Sequence, residues 1–251
     1  MPETVTVDRP DVRLRPGVVY PDWSVVTSDA VVEALTAFFD AFDLVRRWSA
    51  ISEVEDRLRR VILEHYGAAG RPPSARQMSS ASGLAPGALG GVLAGLEARD
   101  MVLLDDDGGV AGAYPFTEDD TAHRVTLDGR TINTMCAIDA LGVGAMYDRD
   151  VVIASRCLEC GGPIHVETHD RGQALKRYTP ARTVVWLATR LAADGCAAKS
   201  ACKSMAFFCS DDHLASWRED GGAAGFRLSI DEGLQAGRAL FQPLLAPARP
   251  D

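Results

Sequence analysis

Cysteine is missing from the first 135 residues of this 251-residue chain, although the remainder contains six. The six are Cys136, Cys157, Cys160, Cys196, Cys202 and Cys209. No apolar run is long enough to cross a bilayer, and the first residues lack the basic and apolar stretches of a secretion signal. We therefore expect a cytoplasmic protein without a membrane partner. Because disulfides are rare in the cytoplasm, the clustered cysteines indicate metal or thiol chemistry.

Basic residues are also in the minority. The chain has 26 Lys and Arg against 35 Asp and Glu, which gives a formal net charge of −9. A protein that mainly binds nucleic acid needs clustered positive charge to meet the phosphates, so we expect no specific nucleic-acid partner. The hydrophobic fraction of 47% and the charged fraction of 24% are ordinary for a globular protein, and the length allows one large domain or two smaller ones.

The histidines also lack two common metal-binding motifs. The five histidines are His65, His123, His165, His169 and His213. None belongs to an H-x-x-H or H-E-x-x-H group. Each is therefore predicted to be a surface residue or a hydrogen-bonded core residue rather than a ligand.

The N-terminal half divides into an arm and a helical module. Residues 1–28 are rich in Pro, Val and Arg and are predicted to form an extended or loosely docked arm. Apolar residues at helical spacing then predict three main helices, near residues 29–44, 53–66 and 88–97, with a short helix after Ser74.

A predicted hairpin follows these helices, with its acidic turn at residues 105–109. Helices followed by a two-stranded wing are typical of a winged helix-turn-helix, so residues 29–112 are predicted to form a winged-helix-like module. Its third helix is rich in glycine and its wing carries three aspartates, which would repel phosphate. We expect the module to cover or brace the rest of the protein rather than to bind DNA.

The remainder, residues 113–251, is predicted to be a catalytic α+β domain in which a mixed, mainly antiparallel sheet is flanked by helices. Strands are predicted at 123–127, 151–155, 164–167, 204–209 and 226–230, helices at Cys136 and at 231–245, and a strand or helix start at 183–187. The fold class of the whole chain is thus predicted to be α+β.

A cysteine and an aspartate lie three residues apart in an apolar segment with good helix propensity, at Cys136 and Asp139. On a helix these positions share one face, so thiol and carboxylate would project side by side. Apolar surroundings raise the pKa of a carboxylate and suit it to proton transfer near neutral pH. Alone, the pattern is more typical of a buried structural cysteine next to a capping or surface aspartate.

Three cysteine-bearing segments occur in a distinctive order: residues 135–141 (MCAIDAL), residues 156–163 (RCLECGGP) and the C-x4-F-F pattern of residues 202–208. In this order they resemble the organomercurial lyase (alkylmercury lyase) family. The first is similar to that family's W-C-A-L-D-T-L segment, the second to its cysteine-bearing strand turn with G-x-P, and Cys202 to its second essential cysteine. Residues 70–74 (GRPPS) also match the family's layout, and the resemblance covers about four-fifths of the chain.

The resemblance implies protonolysis of a carbon–mercury bond. Cys136 and Cys202 would be the thiolates that bind mercury, because soft thiolates are the natural ligands of a soft metal. Asp139 would relay the proton, first from a thiol and then to the leaving carbon. The substrate would be a small organomercurial, the bound product Hg(II), with possible hand-off to a mercuric reductase or small thiols, and no separate cofactor is implied.

The chain departs from the family pattern at three positions. Met135 stands where the family usually has an aromatic residue, and Lys203 stands where many members have a further cysteine. Cys160 converts the single family cysteine at Cys157 into a C-x-x-C, which with Gly161 resembles half of a zinc knuckle.

A structural zinc site at Cys157 and Cys160 is therefore one hypothesis, with Cys196 and Cys209 as further possible ligands. A pair of free thiols in a strand turn is the alternative. For the whole protein, the alternatives to a lyase are a thiol-based heavy-metal-binding protein, a metal-responsive regulator, and a family relative that cleaves a different bond.

Overall fold

The computed structural model describes residues 9–189, 196–198 and 200–249 of the chain. The described helices are α1 (Asp29–Phe42), α2 (Leu44–Trp48), α3 (Glu53–Ala69), α4 (Ala75–Ser82), α5 (Pro86–Ala98), α6 (Ala137–Tyr147), α7 (Asp211–Glu219) and α8 (Ile230–Leu245). The described strands are β1 (Val12–Arg15), β2 (Val18–Tyr20), β3 (Val102–Leu104), β4 (Val110–Ala113), β5 (Phe116–Thr117), β6 (Arg124–Leu127), β7 (Arg130–Asn133), β8 (Val152–Arg156), β9 (Pro163–His169), β10 (Ala174–Thr179), β11 (Val184–Ala188), β12 (Phe207–Phe208) and β13 (Gly225–Ser229). Across these ranges no helix combines the length and apolar character that a membrane span requires.

The described strands form four sheets. β1 pairs with β2, and β3, β4 and β5 form a three-stranded sheet. A five-stranded sheet has the order β10-β9-β8-β6-β7, and a three-stranded sheet has the order β12-β11-β13. The strand pairs between these elements are antiparallel, so the predicted α+β class with antiparallel sheets and flanking helices is confirmed.

Helices α6 and α8 pack closely at two glycines. A Cβ atom at Gly142 would lie 2.6 Å from the Gly237 carbonyl oxygen, and one at Gly237 would lie 2.7 Å from the Gly142 nitrogen. Any side chain at either position would separate the helices, which are in backbone contact there. The terminal helix thereby fixes α6, the helix that carries the Cys136–Asp139 segment.

The start of the chain differs from the predicted arm. Within residues 9–28, β1 and β2 form a hairpin, and the side chains of Val12, Leu14 and Tyr20 are buried in the core. Apolar residues alternate along the hairpin, so their side chains share one face of it. This face packs on the hydrophobic core. The domain boundaries at residues 28 and 112 stay predictions.

A buried charge network holds this hairpin to α3 and to the C-terminal segment. The Arg15 Nε atom lies 2.9 Å from Asp56 Oδ2, and an Arg59 nitrogen lies 2.6 Å from Asp56 Oδ1. Arg15 also donates hydrogen bonds to the carbonyl oxygens of Pro243 and Leu244. Burial lowers the pKa of Arg15 to about 10, although the Asp56 carboxylate opposes this shift. The network therefore joins three distant parts of the sequence through one carboxylate.

Asp56→Ala is expected to destabilise the protein by about 3–5 kcal/mol, because it leaves buried guanidinium groups without their counter-ion. Urea unfolding measures this loss. The matched control is Asp212→Ala, which removes an exposed ion pair with Arg182 at 3.4 Å and should change stability by about 1 kcal/mol or less. Equal losses in the two variants would contradict the importance of the buried network.

One predicted element differs locally. The segment 204–209 was predicted to be one strand, but only Phe207–Phe208 is a strand. It follows a 3-10 turn at Ala201–Lys203, because the backbone before Phe207 bonds to α6 and β11 instead of continuing a ladder. Segment 183–187, predicted to be a strand or the start of a helix, is a strand. It forms β11, the central strand of its sheet.

Candidate active site

Cys136 lies immediately before α6 rather than within it, which corrects the prediction of a shared helical face. Its backbone is extended, and its sulfur accepts the Asp139 backbone N–H at 3.4 Å as the N-cap of the helix. A thiol at the N-cap satisfies one of the unpaired N–H groups of the first turn. Capping thus still puts thiol and carboxyl side by side, by a geometry different from the one predicted.

Cys202 is brought to the same place from the 3-10 turn Ala201–Lys203. The backbone N–H of Ala137 donates to the Met205 carbonyl at 3.0 Å, which joins this segment to the start of α6. The Cys136 thiol donates to the Met205 sulfur at 3.9 Å. Potential ligand atoms of Cys136, Asp139 and Cys202 all lie within 4.8 Å of one another. We call these three residues the deep cluster, because all three are buried.

The carboxyl of Asp139 is strongly perturbed. Burial raises its pKa from 3.8 to about 7, against the opposing effect of hydrogen bonds with Cys136. Its Oδ2 atom is buried and has no hydrogen-bond partner among the described residues. A buried oxygen without a partner is unfavourable for stability alone, so this atom is available to a reacting group.

Both thiols of the deep cluster are protonated in the unliganded protein at neutral pH. Burial, a hydrogen bond with Cys202 and the Asp139 carboxyl raise the pKa of Cys136 well above its ordinary value. The hydrogen bond with Cys136 lowers the pKa of Cys202, but burial and nearby carboxyls outweigh it, so that pKa is also raised. A soft cation that binds these sulfurs must therefore displace their protons.

Two spaces meet at Cys202. A cleft of about 690 Å³ is lined by Cys202 together with His123, Met135 and Cys157. A smaller cavity of about 50 Å³ is lined by all three residues of the deep cluster. Cys202 lines both spaces and therefore stands between the cleft and the other two residues.

Four of the six aromatic residues that line the small cavity lie in the first 48 residues of the chain. The six are Tyr20, Phe38, Phe42, Trp48, Tyr114 and Phe241. The hairpin and the first two helices thus cover the deep cluster with apolar rings. Sequence analysis expected a covering role for residues 29–112 but not for the hairpin before them, because that segment lies outside the part of the chain that resembles the family.

Asp100 and Tyr114 hold the segment that leads to Cys202, and sequence reasoning missed both. The Asp100 carboxylate accepts the N–H of Ala197 at 3.0 Å, and the Tyr114 hydroxyl accepts the N–H of Ala198 at 2.8 Å. The Cys202 N–H in turn donates to the Ala197 carbonyl at 2.9 Å. The two hydrogen bonds join residues 97 and 84 positions apart, so no local sequence pattern predicts them.

A second group of sulfur ligands lies at the cleft. Potential ligand atoms of Cys157, Cys160, Cys209 and His213 lie within 4.8 Å of one another, and we call these four residues the rim cluster. Cys196 is not among them, since it neighbours Asp100 instead. His213 was predicted to be a surface or core residue rather than a ligand. The signal that could have found it is the C-x3-H spacing of Cys209 and His213, since Cys209 lies just before α7 and His213 lies in its first turn.

His123 is a core residue, as predicted. Its Nδ1 atom lies 2.8 Å from the Ser155 hydroxyl, and its ring packs against Phe207. Burial lowers the pKa of His123 to about 4, so the imidazole is neutral at physiological pH. The cleft is therefore lined at this point by an uncharged imidazole ring.

Sequence comparison relates the chain to proteins of one kind. It is 27% identical to an alkylmercury lyase from Streptomyces lividans over 183 residues, which are 73% of this chain and 81% of the relative. It is 30% identical to an alkylmercury lyase from Pseudomonas putida over 148 residues, which are 59% of this chain and 66% of the relative. Both relatives carry the same name as the family that the cysteine segments resemble.

The fold agrees with these matches. The crystal structure of the mercury-bound form of MerB2 is similar with a TM-score of 0.69 and 24% identity, over 83% of this chain and 99% of that one. The family model described as alkylmercury lyase (MerB) matches residues 116–242, just over half of the chain and all of the deep cluster. The chain therefore belongs to the alkylmercury lyase family of enzymes.

Proposed function

We propose that this protein cleaves the carbon–mercury bond of organomercurials by protonolysis and yields a hydrocarbon and Hg(II). The observation that carries the proposal is the deep cluster, in which two buried thiols stand beside a buried carboxyl with an unpartnered oxygen. Thiolates are the ligands that a soft metal prefers, and a carboxyl with a pKa of about 7 can both accept and donate a proton near neutral pH.

Capture of the substrate uses the two sulfurs. Cys202 faces the cleft and meets the organomercurial first. Its sulfur displaces the exchangeable ligand of mercury, which leaves with the thiol proton. The Asp139 carboxylate then accepts the proton of the Cys136 thiol, and the Cys136 sulfur bonds to mercury. Mercury now carries the organic group and two thiolates, which push electron density onto the bound carbon.

Cleavage returns the proton from Asp139. The carboxylic acid donates it to the carbon, and the electron pair of the carbon–mercury bond becomes the new carbon–hydrogen bond. The hydrocarbon departs, Asp139 is again a carboxylate, and Hg(II) stays on the two sulfurs. The buried site favours this step because it excludes water, which would compete for both mercury and the proton.

This scheme needs no separate cofactor, because the protein's own side chains supply both ligands and the proton. The Hg(II) product has to leave through the cleft. It is transferred to a thiol that binds mercury more tightly or is present at higher concentration. Small thiols or a mercuric reductase are the acceptors that we propose.

Purified protein mixed with phenylmercuric acetate and excess small thiol is expected to release benzene and Hg(II) in equal amounts over many turnovers. Gas chromatography measures the hydrocarbon, and cold-vapour spectroscopy measures Hg(II). In heavy water, each benzene molecule should carry one deuterium, because the proton comes from an exchangeable carboxyl. Heat-denatured protein is the control. Stoichiometric retention of phenylmercury without benzene would contradict the proposal and favour a heavy-metal-binding protein.

We also propose that residues 29–112, from α1 to the β3–β4 hairpin, form the predicted winged-helix-like module and act as a brace. Arg99, the cation at the end of α5, already contacts Glu55 at 3.1 Å and donates to the Arg47 carbonyl at 2.6 Å. It is therefore not available to phosphates. Sequence-dependent, salt-sensitive retardation of DNA by this protein in a mobility-shift titration would contradict this proposal.

A further inference from the structure

We propose that the rim cluster binds one structural zinc ion, separate from the mercury chemistry of the deep cluster. Its ligands come from two places in the chain. Cys157 and Cys160 belong to the turn between β8 and β9, whereas Cys209 and His213 belong to the junction between β12 and α7. The ion would therefore join two segments that are about fifty positions apart in sequence.

The distances fit tetrahedral zinc. Zn–S bonds of about 2.3 Å put two sulfurs about 3.8 Å apart, and a Zn–N bond of about 2.0–2.1 Å puts sulfur and nitrogen about 3.6 Å apart. The Cys160 and Cys209 sulfurs are 3.9 Å apart. The Cys157 sulfur and His213 Nδ1 are 3.6 Å apart. The other pairs of donor atoms lie within 4.8 Å of each other, so modest side-chain shifts would place all four around a central ion.

Backbone N–H groups point at two of the sulfurs. The Gly162 N–H donates to the Cys160 sulfur at 3.4 Å, and the Cys209 N–H donates to the Cys157 sulfur at 3.4 Å. Hydrogen bonds to an ionised acceptor stabilise its charge. The turn is closed by the bond from the Gly161 N–H to the Cys157 carbonyl at 2.9 Å, with Gly161 at a positive φ of 69°. This turn geometry holds both C-x-x-C sulfurs on one side.

The donor set distinguishes zinc from the other uses of these thiols. Three sulfurs and one imidazole make a closed, four-ligand set of the structural zinc type. A Cys160–Cys209 disulfide would require the sulfurs to approach to about 2.05 Å, and it would leave Cys157 and His213 without a function. The deep cluster, with two sulfurs and a carboxyl, is instead an incomplete set that leaves room for a substrate group.

The position of the rim cluster gives the ion a mechanical role. The Leu158 N–H donates to the Phe207 carbonyl at 3.1 Å, and Phe207 follows Cys202 by five residues. Glu159 accepts a hydrogen bond from Ser216 of α7 at 2.6 Å. Zinc would join the β8–β9 turn to the junction between β12 and α7. It would thereby hold in place the wall of the cleft next to Cys202.

The test is the zinc content of the full-length protein, purified with a phosphine reductant and no chelator after growth with zinc but without mercury. Mass spectrometry of the metal should find one zinc per chain. Cys209→Ser and His213→Ala should each lose most of it. His213→Cys should retain it, because a fourth thiolate can replace the imidazole, and this rescue separates ligation from a general folding defect.

Two further variants locate the ion. Cys196→Ser and Cys136→Ser should both keep one zinc per chain, because neither residue belongs to the rim cluster. The proposal is overturned if wild-type protein holds no zinc even after reconstitution with Zn(II). It is equally overturned if Cys209→Ser and His213→Ala keep a full equivalent, or if Cys136→Ser loses the zinc while they keep it.

Discussion

Cys136→Ser and Cys202→Ser are each expected to reduce carbon–mercury cleavage to the background rate. Serine keeps the shape of the side chain but replaces a soft sulfur with a hard oxygen that stays protonated at neutral pH. With one thiolate left, mercury has too little electron donation for the bound carbon to accept a proton. The measurement is the release of hydrocarbon from phenylmercuric acetate under single-turnover conditions.

Cys196→Ser is the matched control for these two variants. It removes a thiol from the same half of the chain, but from a position next to Asp100 rather than in the deep cluster. Its cleavage rate should stay near that of the wild type. If Cys202→Ser kept near-full cleavage while Cys157→Ser or Cys160→Ser lost it, the second thiolate would lie in the rim cluster and the present assignment would be wrong.

Asp139→Asn is expected to lower turnover by on the order of a hundredfold or more, because the amide has the size of the carboxyl but cannot carry the proton. Capture of mercury should survive, since both sulfurs remain. Single-turnover kinetics should therefore show phenylmercury bound to the variant with slow benzene release. Loss of capture together with cleavage would indicate that Asp139 has a structural role instead.

The same variant has a second signature in stability. The pKa of Asp139 is raised from 3.8 to about 7, so the folded protein holds this proton over a pH range in which the unfolded chain has lost it. Stability is thus lost as pH rises from about 4 through about 7, by a total of about 4 kcal/mol for this group. Asp139→Asn should lack this loss, and its urea unfolding should show the difference from wild type between pH 5 and pH 8. His123, with a lowered pKa, titrates in both proteins and cancels in the comparison.

Much of the fold was predictable because its elements have local signals. Ser52 precedes α3 with Glu55 three residues later, and the structure shows the full capping box there. The Asp-Gly pair at Asp128 and Gly129 is typical of a hairpin turn, and β6 and β7 pair across it. The docking of the N-terminal hairpin was not predictable, because its partners are α3 and the C-terminal segment, far away in sequence.

The candidate site was predictable in its members but not in its geometry. The order of the cysteine segments pointed to Cys136, Asp139 and Cys202 through family resemblance, and their chemical roles stay predictions. The capping position of Cys136 depends on the extended backbone before α6, which apolar composition does not reveal. The contribution of His213 depends on long-range packing that brings α7 to the β8–β9 turn.

The most direct test of the central claim is a crystal structure of the protein after turnover with an organomercurial, with mercury located by its anomalous scattering. Our account predicts one mercury ion bonded to the sulfurs of both Cys136 and Cys202, with a carboxyl oxygen of Asp139 as the nearest other polar atom. Mercury bound only by the sulfurs of the rim cluster, with the deep cluster unchanged, would contradict it.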